Sequence, residues 1–247
     1  MKNKVHLIMP MGGAGSRFFK NGFVIPKPLI KIKEKPFFYW ATMSISKYVQ
    51  LSDITFVVLQ EHIDNFNIDN EIKQYFPDAR IVVIPHVLNG AVLTCIEGTK
   101  EIDDDNPIVF NDCDHLFYCS QFNDFCNSGN FDGIDGALLT FISNDAKFSF
   151  LELDNNHNVI RTVEKKVISD KAICGAYYFR NKNVFLNNAK QYLNECNYTE
   201  YFVSGVYNTM IKNKLIIKNF TVDDHLPFGT PEEYEAAKDS DQFERLL

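Results

Sequence analysis

The chain has 247 residues, 45% of them hydrophobic, and carries a formal charge of −7 at pH 7. That length allows one large α/β domain or two small ones, and the modest glycine (12) and proline (9) content argues against disorder. The negative balance disfavours a nucleic-acid partner, while a small phosphate ligand held by two or three local cations stays open. Six cysteines occur without C-x-x-C spacing in a chain too long to be a disulfide scaffold, so reduced thiols and a cytoplasmic setting are expected.

Lys2 and Lys4 precede only a short apolar run, broken by His6, which reads as a first strand over residues 5–9 and not as a signal peptide. Apolar residues at helical spacing predict a helix over 36–48, followed by a strand over 54–59. Residues 62–75 form an amphipathic helix pattern that Pro77 closes, and a third strand spans 80–84. A helix starts within 91–98, and a strand over 107–110 runs into Asn111-Asp112-Cys113-Asp114. This alternation implies a doubly wound, mostly parallel, Rossmann-like sheet with helices on both faces. Ligands then sit beyond the carboxyl ends of the strands.

The second half is mixed. Strands are expected over 136–142, 148–153, 159–164, 172–179 and 215–222, with helices over 184–193 and 203–212. Thr230-Pro231-Glu232-Glu233 announces a last helix: a Thr cap, Pro at the first position and acids in the first turn. No linker, repeat or low-complexity tract divides the chain, and no stretch approaches the roughly 18 apolar residues of a membrane span.

Met11-Gly12-Gly13-Ala14-Gly15-Ser16-Arg17-Phe18 follows the first strand, and Pro26-Lys27-Pro28-Leu29-Ile30 lies shortly after it. Successive amides of a glycine loop form an anion-binding nest, Arg17 offers a bidentate grip on phosphate, and the prolines stiffen the backbone that presents Lys27. A glycine-rich turn with incidental cations is the plain alternative. The Walker lysine is absent, and Phe18 replaces the third Rossmann glycine. Asp112 and Asp114, two residues apart on extended chain, point to one side and suit Mg²⁺; a strand-end turn is the alternative for them.

These motifs resemble the nucleotidylyltransferases that make nucleotide-sugars and related activated phosphates, including phosphocholine cytidylyltransferases. The resemblance returns at Leu88-Asn89-Gly90-Ala91, Asp114, Val163-Glu164-Lys165, Gly175-Ala176-Tyr177-Tyr178-Phe179 and Gly229-Thr230-Pro231-Glu232-Glu233. It implies a single nucleotidyltransferase domain over 1–247, with an NTP part to about 130 and an acceptor part after it. Arg17 and Lys27 would be catalytic. Met11, Gly12, Gly13, Gly15, Ser16, Asn89, Gly90 and Ala91 would hold the nucleotide, with Gly90 and Ala91 leaving room for a flat base. Glu164, Lys165, Gly175 and Glu200 would serve the acceptor, Gly175 by letting it approach the backbone. Asp114 would bind Mg²⁺, with Asp112 a neighbour or second ligand and His115 in a hydrogen-bonding role.

The chain departs from the family at Pro227, where a second metal-binding Asp is expected; Asp223, Asp224 or His225 could substitute. The implied reaction joins an NTP to a phosphorylated acceptor, foremost a sugar 1-phosphate, with release of pyrophosphate, for bacterial surface-polysaccharide precursors. A homo-oligomer is possible. A glycosyltransferase holding a nucleotide-sugar through Asp112-x-Asp114, and a non-catalytic nucleotide-binding homologue, are the rival readings.

Overall fold

Strand β1 (Val5–Pro10) is fully apolar except for His6 and is buried along almost its whole length, as a central parallel strand must be. The structure, a computed structural model, describes residues 4–247; Lys2 and the first three residues of the expected domain lie outside the described residues. After β1 come α1 (Ser16–Lys20), a 3₁₀ turn at Lys27–Leu29, the small hairpin β2 (Lys31–Ile32) and β3 (Lys35–Pro36), and α2 (Phe37–Ser46). Next follow β4 (Leu51–Leu59), α3 (Gln60–Phe66), α4 (Ile68–Tyr75), β5 (Arg80–Ile84), α5 (Ala91–Gly98), β6 (Ile108–Asn111), β7 (His115–Tyr118) and α6 (Ser120–Ser128). The second half comprises β8 (Gly136–Ile142), β9 (Phe150–Leu153), β10 (Val159–Val163), β11 (Lys171–Phe179), α7 (Lys182–Glu195), α8 (Val203–Lys212), β12 (Ile217–Thr221), β13 (Asp224–Pro227), α9 (Pro231–Ala237) and a 3₁₀ segment at Asp241–Leu246.

Nine strands form one mixed sheet. β5, β4, β1 and β6 run parallel; β11 pairs antiparallel with β6 and carries β8 on its other edge, to which β12 adds in parallel. The β9–β10 hairpin attaches to the first half of β11 through Ala172 and Phe150. β7 and β13 make a separate two-stranded ribbon. Because β1 has β4 on one side and β6 on the other, the crevice beyond its carboxyl end opens at the switch point of the sheet.

One expectation needs correction. The helix expected over 62–75 is two helices, because Asn67 sits between them at φ 51°, in the left-handed region. The hydrophobic pattern continued across the break and hid it. The second half is built around β11, which a bulge between Ile173 and Tyr177 divides in two, with Gly175 at φ 92°.

A cluster of aromatic rings lies under the glycine loop. Phe18, which fills the position of the absent glycine, is 1% exposed and packs edge-on to Phe23 and Phe37, so the loop rests on a fixed floor. The cysteines are unpaired, and all but Cys196 are buried. Among the described residues no helix is long and apolar enough to cross a membrane.

Candidate functional site

The glycine loop begins where Met11 N–H donates to Val57 O at 2.8 Å, immediately beyond β1. Gly15 takes φ 59° and lies so close to the Lys27 segment that a Cβ there would come within 3.2 Å of Lys27 Cβ. The loop is therefore glycine-rich partly to let the Pro-Lys-Pro segment dock against it. A cleft of about 580 Å³ opens over this contact. Its walls include Met11, Gly12, Gly13, Gly15, Ser16, Arg17 and Lys27 from the first 30 residues, and Asn89, Gly90 and Ala91 ahead of α5. Asp112 and Asp114 stand between β6 and β7, and Glu164, Lys165 and Glu200 complete the far side. Gly175 stays out of this cleft, as do His115 and the substitutes named for Pro227. Gly175 lines an adjoining cavity of about 170 Å³, shared with Arg17, Asp112, Asp114, His115 and His225.

Lys27 Nζ donates to Asp114 Oδ2 at 2.8 Å. Burial alone would lower the lysine pKa, but the Asp114 carboxylate outweighs it and lifts the ammonium above the ordinary lysine value. Burial likewise acts to raise Asp114, and the charge and hydrogen bond of Lys27 hold it below the usual carboxylate range instead. Asp112 has no such partner: burial, and then the charge of Asp114, push it up to about 7 against the pull of Lys27. Two glycines back the pair. A Cβ on Gly175 would lie 2.7 Å from Asp112 Oδ2, and one on Gly229 would lie 2.3 Å from Asp114 Oδ2.

Two of these glycines are closely backed by other segments of the chain. A Cβ on Gly175 would meet the Asp112 carboxylate. At Gly90, which has φ 97°, a Cβ would stand 2.3 Å from the Tyr201 backbone. Sequence alone could not reveal either, since both contacts join residues distant in the chain.

The carboxylate pair fits a hard divalent cation. Two oxygen donors share one gap, and Asp112 is held in a setting that favours losing its charge unless a cation neutralises it. Among the described residues no three His, Cys, Asp or Glu side chains cluster as a metal site would. Of the substitutes named for Pro227, Asp223 accepts from Ser120 N and Oγ at the start of α6, at 2.7 and 2.8 Å, and Asp224 pairs with Arg245. His225 and Pro227 do line the smaller cavity, and His225 Nε2 has no hydrogen-bond partner among the described residues. His115 Nε2 bonds Asn111 Oδ1 at 3.1 Å, and burial lowers its pKa to about 4, so it is neutral there.

On the far wall, Glu164 Oε1 accepts from Ser149 Oγ at 2.6 Å and from Ser204 Oγ. Lys165, at φ 51°, rests its ammonium over the Phe202 ring at 5.1 Å. Lys147 lines both cavities and pairs with Glu233 and Asp145, each at 3.0 Å. Lys147, Ser149 and Ser204 were not singled out from sequence; they carry no motif, and only folding brings Lys147 and Ser149 to the cleft and Ser204 to Glu164.

The model of a family described as nucleotidyl transferase matches residues 6–242. No curated protein matches the chain at a significant level. Among solved structures, a nucleoside-diphosphate-sugar pyrophosphorylase of Vibrio cholerae RC9 superposes with a TM-score of 0.81 at 24% identity, covering 93% of this chain and 98% of its own. The inositol-1-phosphate CTP transferase of T. maritima gives 0.76 at 14% identity, over 100% and 95%. These likenesses establish the shared fold.

Proposed function

The chain belongs to the nucleotidyl transferase family, and on that premise we propose that it joins an NTP to a phosphorylated small acceptor, foremost a sugar 1-phosphate, and releases pyrophosphate. One observation carries this reading. A single cleft of about 580 Å³ is lined by the glycine loop, Arg17, Lys27 and the carboxylate pair together with Glu164 and Lys165, which supports a reading with two phosphate-bearing substrates in one site. In this reading the product feeds the synthesis of surface polysaccharide.

The acceptor phosphate oxygen attacks the α-phosphorus, and the bond to the pyrophosphate oxygen breaks in line. No protein nucleophile or strong base is needed, because the attacking oxygen is already anionic near neutral pH. Catalysis is positioning and charge neutralisation. The nucleotide phosphates lie on the amides of the glycine loop, with Arg17 on the β and γ groups and Lys27 on the α-phosphate. Lys165 holds the acceptor phosphate, and Glu164 accepts from an acceptor hydroxyl. Mg²⁺, held by Asp114 and Asp112, supplies further neutralisation of phosphate charge when bound.

The Lys165–Phe202 contact favours a sugar or polyol phosphate over phosphocholine. The aromatic face a quaternary ammonium would seek is already covered by a cation at 5.1 Å.

Pyrophosphate release from each of four NTPs, with Mg²⁺ and a panel of phosphorylated acceptors, tests the reading. Arg17→Ala and Lys27→Ala are expected to lower turnover by about two orders of magnitude or more, the scale of losing one electrostatic contact to the transition state, while leaving the protein folded. Near-normal turnover in both variants sinks the assignment. Nucleotide binding without turnover would instead indicate a sensor.

A further inference from the structure

Glu164 directly follows β10, and one of its two side-chain oxygens is doubly occupied. Ser149 Oγ donates to Oε1 at 2.6 Å from the segment leading into β9, and Ser204 Oγ donates to the same oxygen from the first turn of α8. Oε2 has no partner among the described residues. Both serines are themselves anchored. Ser149 O accepts from Ile173 N of β11 at 2.8 Å, and Ser204, 1% exposed, has its carbonyl bonded by Thr162 Oγ1 of β10 at 2.8 Å.

We propose that Ser149 and Ser204 are positioning residues that pin Glu164 by one oxygen so that the other is presented to a hydroxyl of the acceptor. This rests on the nucleotidyl-transfer reading and adds to it two residues that no motif marks. The physical reason is geometric. A glutamate has three rotatable side-chain bonds, and two charge-assisted hydrogen bonds from separate elements fix the carboxylate plane. The free oxygen then meets an incoming hydroxyl without reorganisation, so orientation of the acceptor phosphate is set before the nucleotide is attacked. Because α8 also follows directly on Glu200, Tyr201 and Phe202, the clamp ties Glu164 to the wall that bounds the acceptor.

The test is steady-state pyrophosphate release, with glucose 1-phosphate as the acceptor probe and whichever of CTP, UTP, dTTP and GTP turns over fastest. Ser149→Ala and Ser204→Ala are each expected to raise the acceptor KM about tenfold, as loss of a hydrogen bond to a charged group would. The NTP KM should stay within about twofold of wild type, because the hydroxyls of Ser149 and Ser204 bond Glu164 and not the glycine loop. Ser149→Thr, which keeps the hydroxyl, should stay close to wild type. A merely structural serine would move both KM values and the melting temperature together; that result, or an unchanged acceptor KM in a folded and active Ser149→Ala enzyme, overturns the proposal. Failure of the unmodified enzyme to release pyrophosphate with any pair overturns the nucleotidyl-transfer reading, and this inference with it.

Discussion

Lys27 is tied to Asp114 at 2.8 Å where a divalent cation would bind the same carboxylate. On the proposed function a divalent cation held by Asp114 would compete with the Lys27 ammonium for the charge of that carboxylate and weaken their pairing. Lys27→Met is therefore expected to bind Mn²⁺ several-fold more tightly than wild type in the absence of nucleotide, read by calorimetry or electron paramagnetic resonance. Equal or weaker binding would refute this competition. His6 poses a different electrostatic question at the far end of β1. Its Nδ1 and Nε2 lie 2.8 Å from Asp53 and from Asp104, and Ser52 Oγ also approaches Nδ1 at 2.9 Å. Burial acts to lower the imidazole pKa, but the two carboxylates outweigh it and raise it above 6.5. A raised folded-state pKa stabilises the fold fully below the unfolded value, and that contribution fades as pH rises through the folded value. The gap in unfolding free energy between wild type and His6→Gln should accordingly narrow in urea titrations from about pH 6 to pH 9. A gap that widens would refute the linkage.

Among the elements, α9 shows how a helix cap reaches into a site. Thr230 Oγ1 accepts from Glu233 N at 3.2 Å, and Glu233 Oε2 accepts in return from Thr230 N at 3.1 Å and Gly229 N at 3.0 Å. The reciprocal cap expected from Thr230-Pro231-Glu232-Glu233 thus also holds Gly229 against Asp114. Thr230→Ala should cost about 1 kcal/mol in chemical denaturation, the ordinary worth of an N-cap. Gly229→Ala should do more harm to activity than to stability, because its Cβ would displace the Asp114 carboxylate. If Gly229→Ala retains wild-type turnover, the backing role of that glycine is wrong. Readability from sequence also varied among elements. The central parallel strands declared themselves, being short apolar runs between breakers. The five-residue α1 and the ribbon of β7 with β13 did not, because their boundaries depend on Phe18 and on pairing across 100 residues of chain.

At the scale of the whole molecule, the cleft draws its walls from both halves of the sheet and from residues as far apart as Pro10 and Gly229. A ligand that spans it binds the folded state alone and so stabilises it by mass action. NTP with Mg²⁺ at about 100 times its Kd should add about 2.7 kcal/mol and raise the melting temperature, whereas inorganic sulfate at the same concentration should do little. The absence of a shift with any of the four NTPs would count against the cleft as a nucleotide site.

The sequence by itself determined the parallel half of the sheet, the glycine loop with its two cations, and the family. These are local facts, set by hydrophobic period, glycine conformational freedom and fixed spacing within about 30 residues of chain. It also singled out about half of the residues that line the cleft. Tertiary structure decided what those residues face. Only folding sets Lys27 on Asp114, puts the Asp112 carboxylate where Gly175 has no side chain, fills the gap at Gly90 with Tyr201, and closes Ser149 and Ser204 on Glu164. Those are contacts between segments about 15 to 110 residues apart, and no local pattern encodes which side chain will arrive at the other end.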